Sequence, residues 1–484
     1  MSSTEIARTD LSPAFDTPVS DSTAQVSTIA TEPAPPAWSL PTRIGFRFFA
    51  AYFFLYSFFD LSLFARLFSL LPFRVVSPGG WSSVQTFNTW VAADVLKWPQ
   101  PFSRNQGAGD KPIDYAMVIG LLGVAVLITL IWSAVDWKRK SYPRLLPWFR
   151  VMLRLSIATS LVSYGWMKFF PLQMPSPNLT RLLEPYGHFS LMAVLWAKIG
   201  SSTAYEIFTG AAELLVSALL LIPGMATVGA LIAIPVTFQV WMLNMTYDVP
   251  VKLFSFHLLA MSTVLLMPDL RRLLTFFVMK RPADPPREGR LFRNLIAHRV
   301  VLGLQVAFGV WVMWSSYQTF SASAAQRSNQ PKPPLYGIWN IEKMWIDGVE
   351  RAPLLTDHGR WRRMVIQTAG SVSFQRMDDT FSPQPGRVEP DGKTMVFTVL
   401  ADPRAAAAGP VPPNAPRKEV GRYAIEQPAP DRLIMEGALH GTKYRMEMKY
   451  FDPANFRLMK ARFNLMADRP WNISNADYVP DLYR

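Results

Sequence analysis

Runs of about 20 apolar residues, the length a helix needs to cross ~30 Å of hydrocarbon, recur near 44–71, 115–135, 147–170, 205–222, 225–245, 251–267 and 299–318. They predict seven membrane spans. The sixth is the shortest, but Leu253 to Met267 is apolar apart from Ser255, His257, Ser262 and Thr263, so it reads as a short or tilted span. Before the first run, residues 1–37 are rich in Ser, Thr, Ala and Pro with no apolar period, the pattern of a disordered tail. Between the first two runs, Trp81, Val84, Phe87, Trp90, Val91 and Val95 recur at helical spacing, which suits an interfacial segment or a packed lid. Phe189 to Ile199 has the same character.

After Tyr317 the period changes. Residues 321–334 form a polar, proline-ended linker, and beyond it the alternation shortens to two. Strands are predicted at Ile338–Trp345, Trp361–Thr368, Ser371–Met377, Thr394–Leu400, Glu419–Glu426, Asp431–Ala438, Lys443–Tyr450 and Phe456–Phe463, with turns at Asp347-Gly348, Asp391-Gly392 and His440-Gly441. Eight short strands predict an up-and-down β-barrel over 335–484, following a helical membrane domain over 38–320.

Charge orients these pieces. Lys138, Arg139, Lys140 and Arg144 follow the second span, and Arg271, Arg272, Lys280, Arg281, Arg287, Arg290 and Arg293 follow the sixth, while the intervening outer connections carry only Arg181 and Lys198 between spans three and four and Lys252 between five and six. Basic loops stay cytoplasmic, so the N-terminus is expected on the cytoplasmic side of the membrane and the barrel outside the cytoplasm. The net charge of +14 across 484 residues is then a matter of membrane orientation, and a nucleic-acid partner is not needed to explain it. With 50% hydrophobic and only 17% charged residues, a wholly soluble chain is excluded. The absence of cysteine excludes disulfides, thiol catalysis and iron–sulfur clusters.

The membrane runs carry polar residues that need a reason. Arg154 and Lys168 share one face of the third span, and Glu206 and Glu213 share one face of the fourth. Gly165 and Gly210 lie on those faces, where small residues let helices approach closely. An ionised carboxylate at depth requires a partner or a proton. Glu213 therefore reads either as one half of an ion pair that fixes helix register, or as a proton-handling group in a polar cavity. Asn244, Tyr247, Asp248 and Lys252 gather around the turn between spans five and six, just before His257. His257 reads either as a hydrogen-bonded core residue or as a proton relay. Together with His188 and Glu213 it shows no metal-ligand spacing, so no metal is expected.

The segments Tyr164-Gly-Trp-Met-Lys168 and Ala211-Ala-Glu213-Leu-Leu215 match a helix-ending G-x-x-K and a glutamate before a small, leucine-rich stretch. Through them residues 147–278 resemble the DoxX family of four-span membrane proteins. The resemblance implies membrane redox work, including a subunit of thiosulfate:quinone oxidoreductase, and a bacterial plasma membrane, and it carries over only Lys168 and Glu213. Leu335-Tyr-Gly337-Ile-Trp339 resembles the G-x-W opening of lipocalin-like barrels, which implies Arg462 packed over Trp339 at the closed end. Met364, Phe374, Met395, Phe397, Met435, Met446 and Met448 have bulk enough to fill such a barrel.

Two readings follow. In the first, the bundle is a redox-associated subunit, rather than a self-sufficient enzyme, that binds a quinone-like carrier in its outer half. Glu213 and His257 would relay protons, and Lys168, Glu206, Asn244, Tyr247, Asp248 and Lys252 would contact the carrier. Its partners are the lipid bilayer and either a membrane redox protein or a second copy of the chain. In the second, the bundle is a non-catalytic anchor or scaffold that presents the lipocalin-like module.

Overall fold

A computed structural model describes residues 37–60, 62–70, 82–99, 109–283, 289–389, 391–402 and 415–460. Of the tail assigned to residues 1–37, residues 1–36 lie outside them. The helical part comprises α1 (Leu40–Phe59), α2 (Ser62–Ser69), α3 (Ser82–Trp90), α4 (Pro112–Val135), α5 (Leu145–Phe169), α6 (Leu179–Leu183), α7 (Leu191–Gly200), α8 (Thr203–Leu221), α9 (Ala226–Thr246), α10 (Lys252–Phe277) and α11 (Leu295–Ser328). Six of these, α4, α5, α8, α9, α10 and α11, are long and apolar enough to cross a membrane. The bent pair α1 and α2, meeting at 53°, makes a seventh if counted as one span.

Helices α5, α8, α9 and α10 pack in sequence, with α10 closing back onto α5. Helices α1 and α4 pair beside this group, and α11 lies against α5 and α8. Segment 82–95 is a packed lid rather than a free interfacial helix, because Phe87 and Val91 sit over Gly120 of α4. At the basic end, Asp269 of α10 binds Arg150 of α5 (2.7 Å), Arg272 (2.7 Å) and Thr227 of α9 (2.8 Å). This network ties three helices at one level. At the opposite end the chain leaves α11 for the barrel. Helix α11 runs on to Ser328, into the expected linker, because Ala- and Ser-rich sequence after Tyr317 keeps helical propensity without any apolar stripe.

The barrel strands are β1 (Gly337–Ile346), β2 (Val349–Glu350), β3 (Trp361–Thr368), β4 (Ser371–Arg376), β5 (Phe381–Val388), β6 (Thr394–Leu400), β7 (Arg417–Ala429), β8 (Arg432–Leu439) and β9 (Thr442–Phe451). All neighbours are antiparallel, and β1 pairs with β9 to close eight strands, leaving β2 as a two-residue addition to β1. The Asp347-Gly348 and His440-Gly441 hairpins have positive φ at both residues, the geometry of type I′ turns.

One predicted strand is corrected. The described part of Phe456–Phe463 contains a short helix, α12 (Arg457–Lys460), instead of a strand. Just before it, Pro453 and the Asp452 carboxylate, which accepts the Ala454 N–H, start a tight helical turn. The eighth strand is β5, which Pro383 and Pro385 disguise. Both prolines pair only with β4, and β6 joins from Gly386 onward, so the missing N–H groups fall on an open edge.

The seven bulky residues named above all lie inside the barrel, buried with Trp339, Tyr423 and Leu433. Trp339 donates its indole N–H to the Leu335 carbonyl (3.0 Å) and packs edge-on against Tyr450. Gly337 is required beneath that ring: its φ is +141°, and a Cβ there would meet Tyr450 at 2.4 Å. Arg462 lies outside the described residues.

The tightest helix contact is between α5 and α8. A Cβ on Gly210 would meet the Gly165 carbonyl and the Phe169 nitrogen, each at 2.7 Å. Backbone, not a flexible side chain, blocks that space. Gly210→Val is therefore expected to destabilise the bundle by about 1–3 kcal/mol, measured by thermal unfolding in detergent. Gly123→Ala, at an open position on α4, should be neutral in the same assay.

Candidate functional site

Close approach of α5 and α8 places Lys168 against Glu213, and the ammonium forms an ion pair with the Glu213 Oε1. Both side chains are buried. The second carboxylate oxygen, Oε2, is buried with no hydrogen-bond partner among the described residues. Arg154 does not join this pair: its Nε donates to the Leu220 carbonyl (2.9 Å), nearer the basic end. Glu206, also buried, accepts the Met174 N–H (2.8 Å) and so fixes the chain leaving α5.

His257 sits at a different interface, between α10 and α1. Its Nδ1 lies 2.6 Å from the Leu253 carbonyl, which can only accept, so Nδ1 carries the proton. Nε2 then accepts from the Tyr52 hydroxyl at 2.6 Å. The ring stacks on Tyr56, with centroids 3.8 Å apart at 11°. The Tyr56 hydroxyl bonds the Asp60 carboxylate at the end of α1.

Tyr164 connects the two interfaces. Its ring packs near Phe254 of α10 (5.6 Å), with the Lys168 ammonium 6.0 Å from its centroid. It also lies within electrostatic reach of both Glu213 and Asp60. The polar residues thus fall into two groups, Lys168 and Glu213 with Tyr164 beside them, and Tyr52, His257, Tyr56 and Asp60.

The remaining predicted contacts are occupied by the α9–α10 turn. The Asn244 amide donates to Ser255 Oγ (3.0 Å), and Lys252 binds Asp248 (2.7 Å). Tyr247 packs with Met174, Leu195 and Val249. Asp110, ahead of α4, accepts the Lys252 and Leu253 N–H groups (2.6 and 3.0 Å) and caps α10. His188 lies outside the bundle, beside Glu184 and Asp379 in a polar cleft of about 440 Å³ between the α6 region and β4–β5. Among the described residues, no group of three or more His, Asp or Glu could hold a metal ion.

Tyr52, Tyr56, Asp60 and Tyr164 were not legible as site residues. Tyr52 and Tyr56 sit inside an aromatic apolar run, where a phenol looks like core. A polar tip every fourth residue, at Tyr52, Tyr56 and Asp60, is the signal that was there to find.

The connection after α5 also joins the bundle to the barrel. Leu179 and Leu183 of α6 pack on the outer barrel face against Ile338, Val365 and Phe451. The Leu179 N–H donates to Gln367 (2.8 Å), and the buried Gln375 amide donates to the Leu183 carbonyl (3.3 Å). Arg363 holds Gln375 from the other side (2.8 Å). Elsewhere on the barrel, Asp357 makes a two-pronged contact with Arg351 (2.7 and 2.8 Å). That hydrogen bonding holds its carboxyl down at about 2. His358 and His440 are turn residues.

No family model matches the chain. A 91-residue segment, 19% of the chain, is 36% identical to the "Uncharacterized protein YwoB" of Bacillus subtilis (strain 168) and spans 58% of that protein's length. No solved structure matches.

Lys168→Met alone strands a buried carboxylate, and Glu213→Leu alone strands a buried ammonium. Each is expected to cost about 3–5 kcal/mol, with most of it recovered in the double variant. Denaturant unfolding of the four proteins in detergent checks this; simple additivity would exclude the coupling.

Proposed function

We propose that this protein is a redox-associated membrane subunit. Its helix bundle binds a quinone-like lipophilic carrier in the barrel-side half and moves protons for it. The observation that carries this reading is the unsatisfied Glu213 Oε2. A buried carboxylate oxygen without a partner costs free energy that a merely register-fixing ion pair would not need to spend. It is an acceptor position suited to a hydroxyl. Lys168 would hold the carboxylate in place and offer N–H donors to a carbonyl. His257, with Nδ1 committed to backbone, has one nitrogen left to exchange a proton, through Tyr52. Tyr164 and Asp60 provide polar positions between the two.

The resemblance of 147–278 to the DoxX family supports the same reading, as does the basic end, which would face the cytoplasm. The carrier would supply the redox chemistry; the side chains named here bind, orient and exchange protons.

A filled barrel interior, docked on the bundle through α6, favours the second reading, in which the bundle anchors a structural module and Glu213 only holds helices together. The two part company in one experiment. Organic extracts of the gently purified full chain and of Glu213→Gln are analysed by mass spectrometry, with an unrelated membrane protein as background. The carrier reading expects near-stoichiometric quinone in the wild type and at least a tenfold loss in the variant. Background levels in both would leave the scaffold.

A further inference from the structure

The polar cleft where bundle meets barrel has a volume of about 440 Å³, within the range of small-molecule sites. Its walls come from both parts of the molecule. Thr180, Glu184 and His188 belong to the connection that carries α6, and Ser373, Asp379 and Phe381 belong to β4, β5 and the turn between them. Unlike the buried pair at Glu213, this lining is open: His188 is exposed, and Glu184, Asp379 and Phe381 are half-buried.

The hydrogen bonds already made around the cleft decide what it can take. Arg181 bonds the Glu184 Oε2 (2.6 Å), and Arg362 and Gln375 both donate to the Asp379 Oδ1 (2.8 and 3.1 Å). Those contacts leave Glu184 Oε1 and Asp379 Oδ2 to accept from a ligand. The Thr180 and Thr380 hydroxyls donate to the side chains of Asn178 and Asp378 (2.9 and 2.6 Å), so they too have only lone pairs to offer. A lining so rich in acceptors needs a ligand rich in donors. Each carboxylate is matched by its own arginine, so the cleft has no net charge to draw a cation, and its acceptors repel an anion. Phe381 adds an apolar wall beside these groups. Neutral hydroxyl groups on a ring with apolar C–H faces meet all three conditions.

We infer that this cleft binds a neutral saccharide unit, whose ring hydroxyls donate to Glu184 Oε1 and Asp379 Oδ2 and whose apolar face lies against Phe381. Such a ligand touches both the α6 connection and the barrel, and so tightens the seat of one on the other. The Asp379 backbone has a φ of +63°, a conformation that Asp and Asn adopt more readily than most side chains. This goes beyond the proposed function and does not depend on it, because no lining residue belongs to the groups around Glu213 and His257.

The test uses the full chain in a detergent without a sugar headgroup and a set of hexoses of one shape: neutral glucose and N-acetylglucosamine, cationic glucosamine and anionic glucuronate. Saturation-transfer NMR titrations measure each affinity. Saturable binding of a neutral sugar, tighter than either charged one, is expected. Asp379→Asn tolerates the same backbone conformation, but Arg362 and Gln375 claim its oxygen and leave an amide N–H₂ in place of Oδ2. It should weaken binding about tenfold, the worth of one hydrogen bond to a charged group. Ser373→Phe, which fills the cleft from β4, should abolish it. Nanodiscs containing glucosyl diacylglycerol separate the sources: loss of free-glucose binding in them supports a lipid headgroup, and unchanged binding supports a free sugar. No saturable binding of either neutral sugar, preference for a charged one, or affinity unchanged in either variant would overturn the site. Loss of quinone in Glu213→Gln bears on the buried pair alone, so the two proposals can fail separately.

Discussion

The bundle depends on how closely α5 and α8 approach. Gly165 and Gly210 leave no room for even a methyl group between the helices, and that contact brings the Lys168 ammonium onto the Glu213 carboxylate. Buried as they are, neither side chain is tolerable without the other, so close packing and charge pairing require each other. The same seam sets what lies to either side. Toward α10 and α1 lie phenols, carboxylates and one imidazole; toward α11 lies a groove lined by Ala218, Ile222, Gly309 and Val310. Two glycines separate the hydrophilic and lipophilic halves of the interior.

Much of this arrangement was legible in the sequence because it follows from period and residue size. Six apolar runs became long helices, and seven of the eight barrel strands lie where alternation put them. What escaped had a physical disguise. Pro383 and Pro385 hid β5, because a proline-bearing strand is acceptable only where a neighbour is missing, and that is a property of the closed sheet. The residues past Tyr317 hid the end of α11, because small polar residues can be helical without showing a face.

The polar site was legible only in part. Lys168 and Glu213 stand out as charges in apolar runs, and the contact between them is local to one helix pair. His257 stood out by type, but its partners come from α1, some 200 residues away in sequence, and no spacing rule relates them. Asn244, Tyr247, Asp248 and Lys252 looked like site residues through their company with His257. They lie in the turn that starts α10, where Asn244 bonds Ser255, Lys252 pairs with Asp248 and Tyr247 packs among apolar side chains.

The docking of α6 on the barrel bears on how the molecule could be built or divided. Leu179 and Leu183 lie in a connection between two long apolar helices, but they are covered by Ile338, Val365 and Phe451, which the chain supplies more than 150 residues later. During synthesis the bundle therefore exists for a time with an apolar loop exposed at its surface, and only completion of the barrel covers it. The barrel acts as a closing piece for the bundle that precedes it in the chain. Cutting the chain after α11 would leave an unfinished bundle with a sticky surface, so the C-terminal module is no detachable cargo.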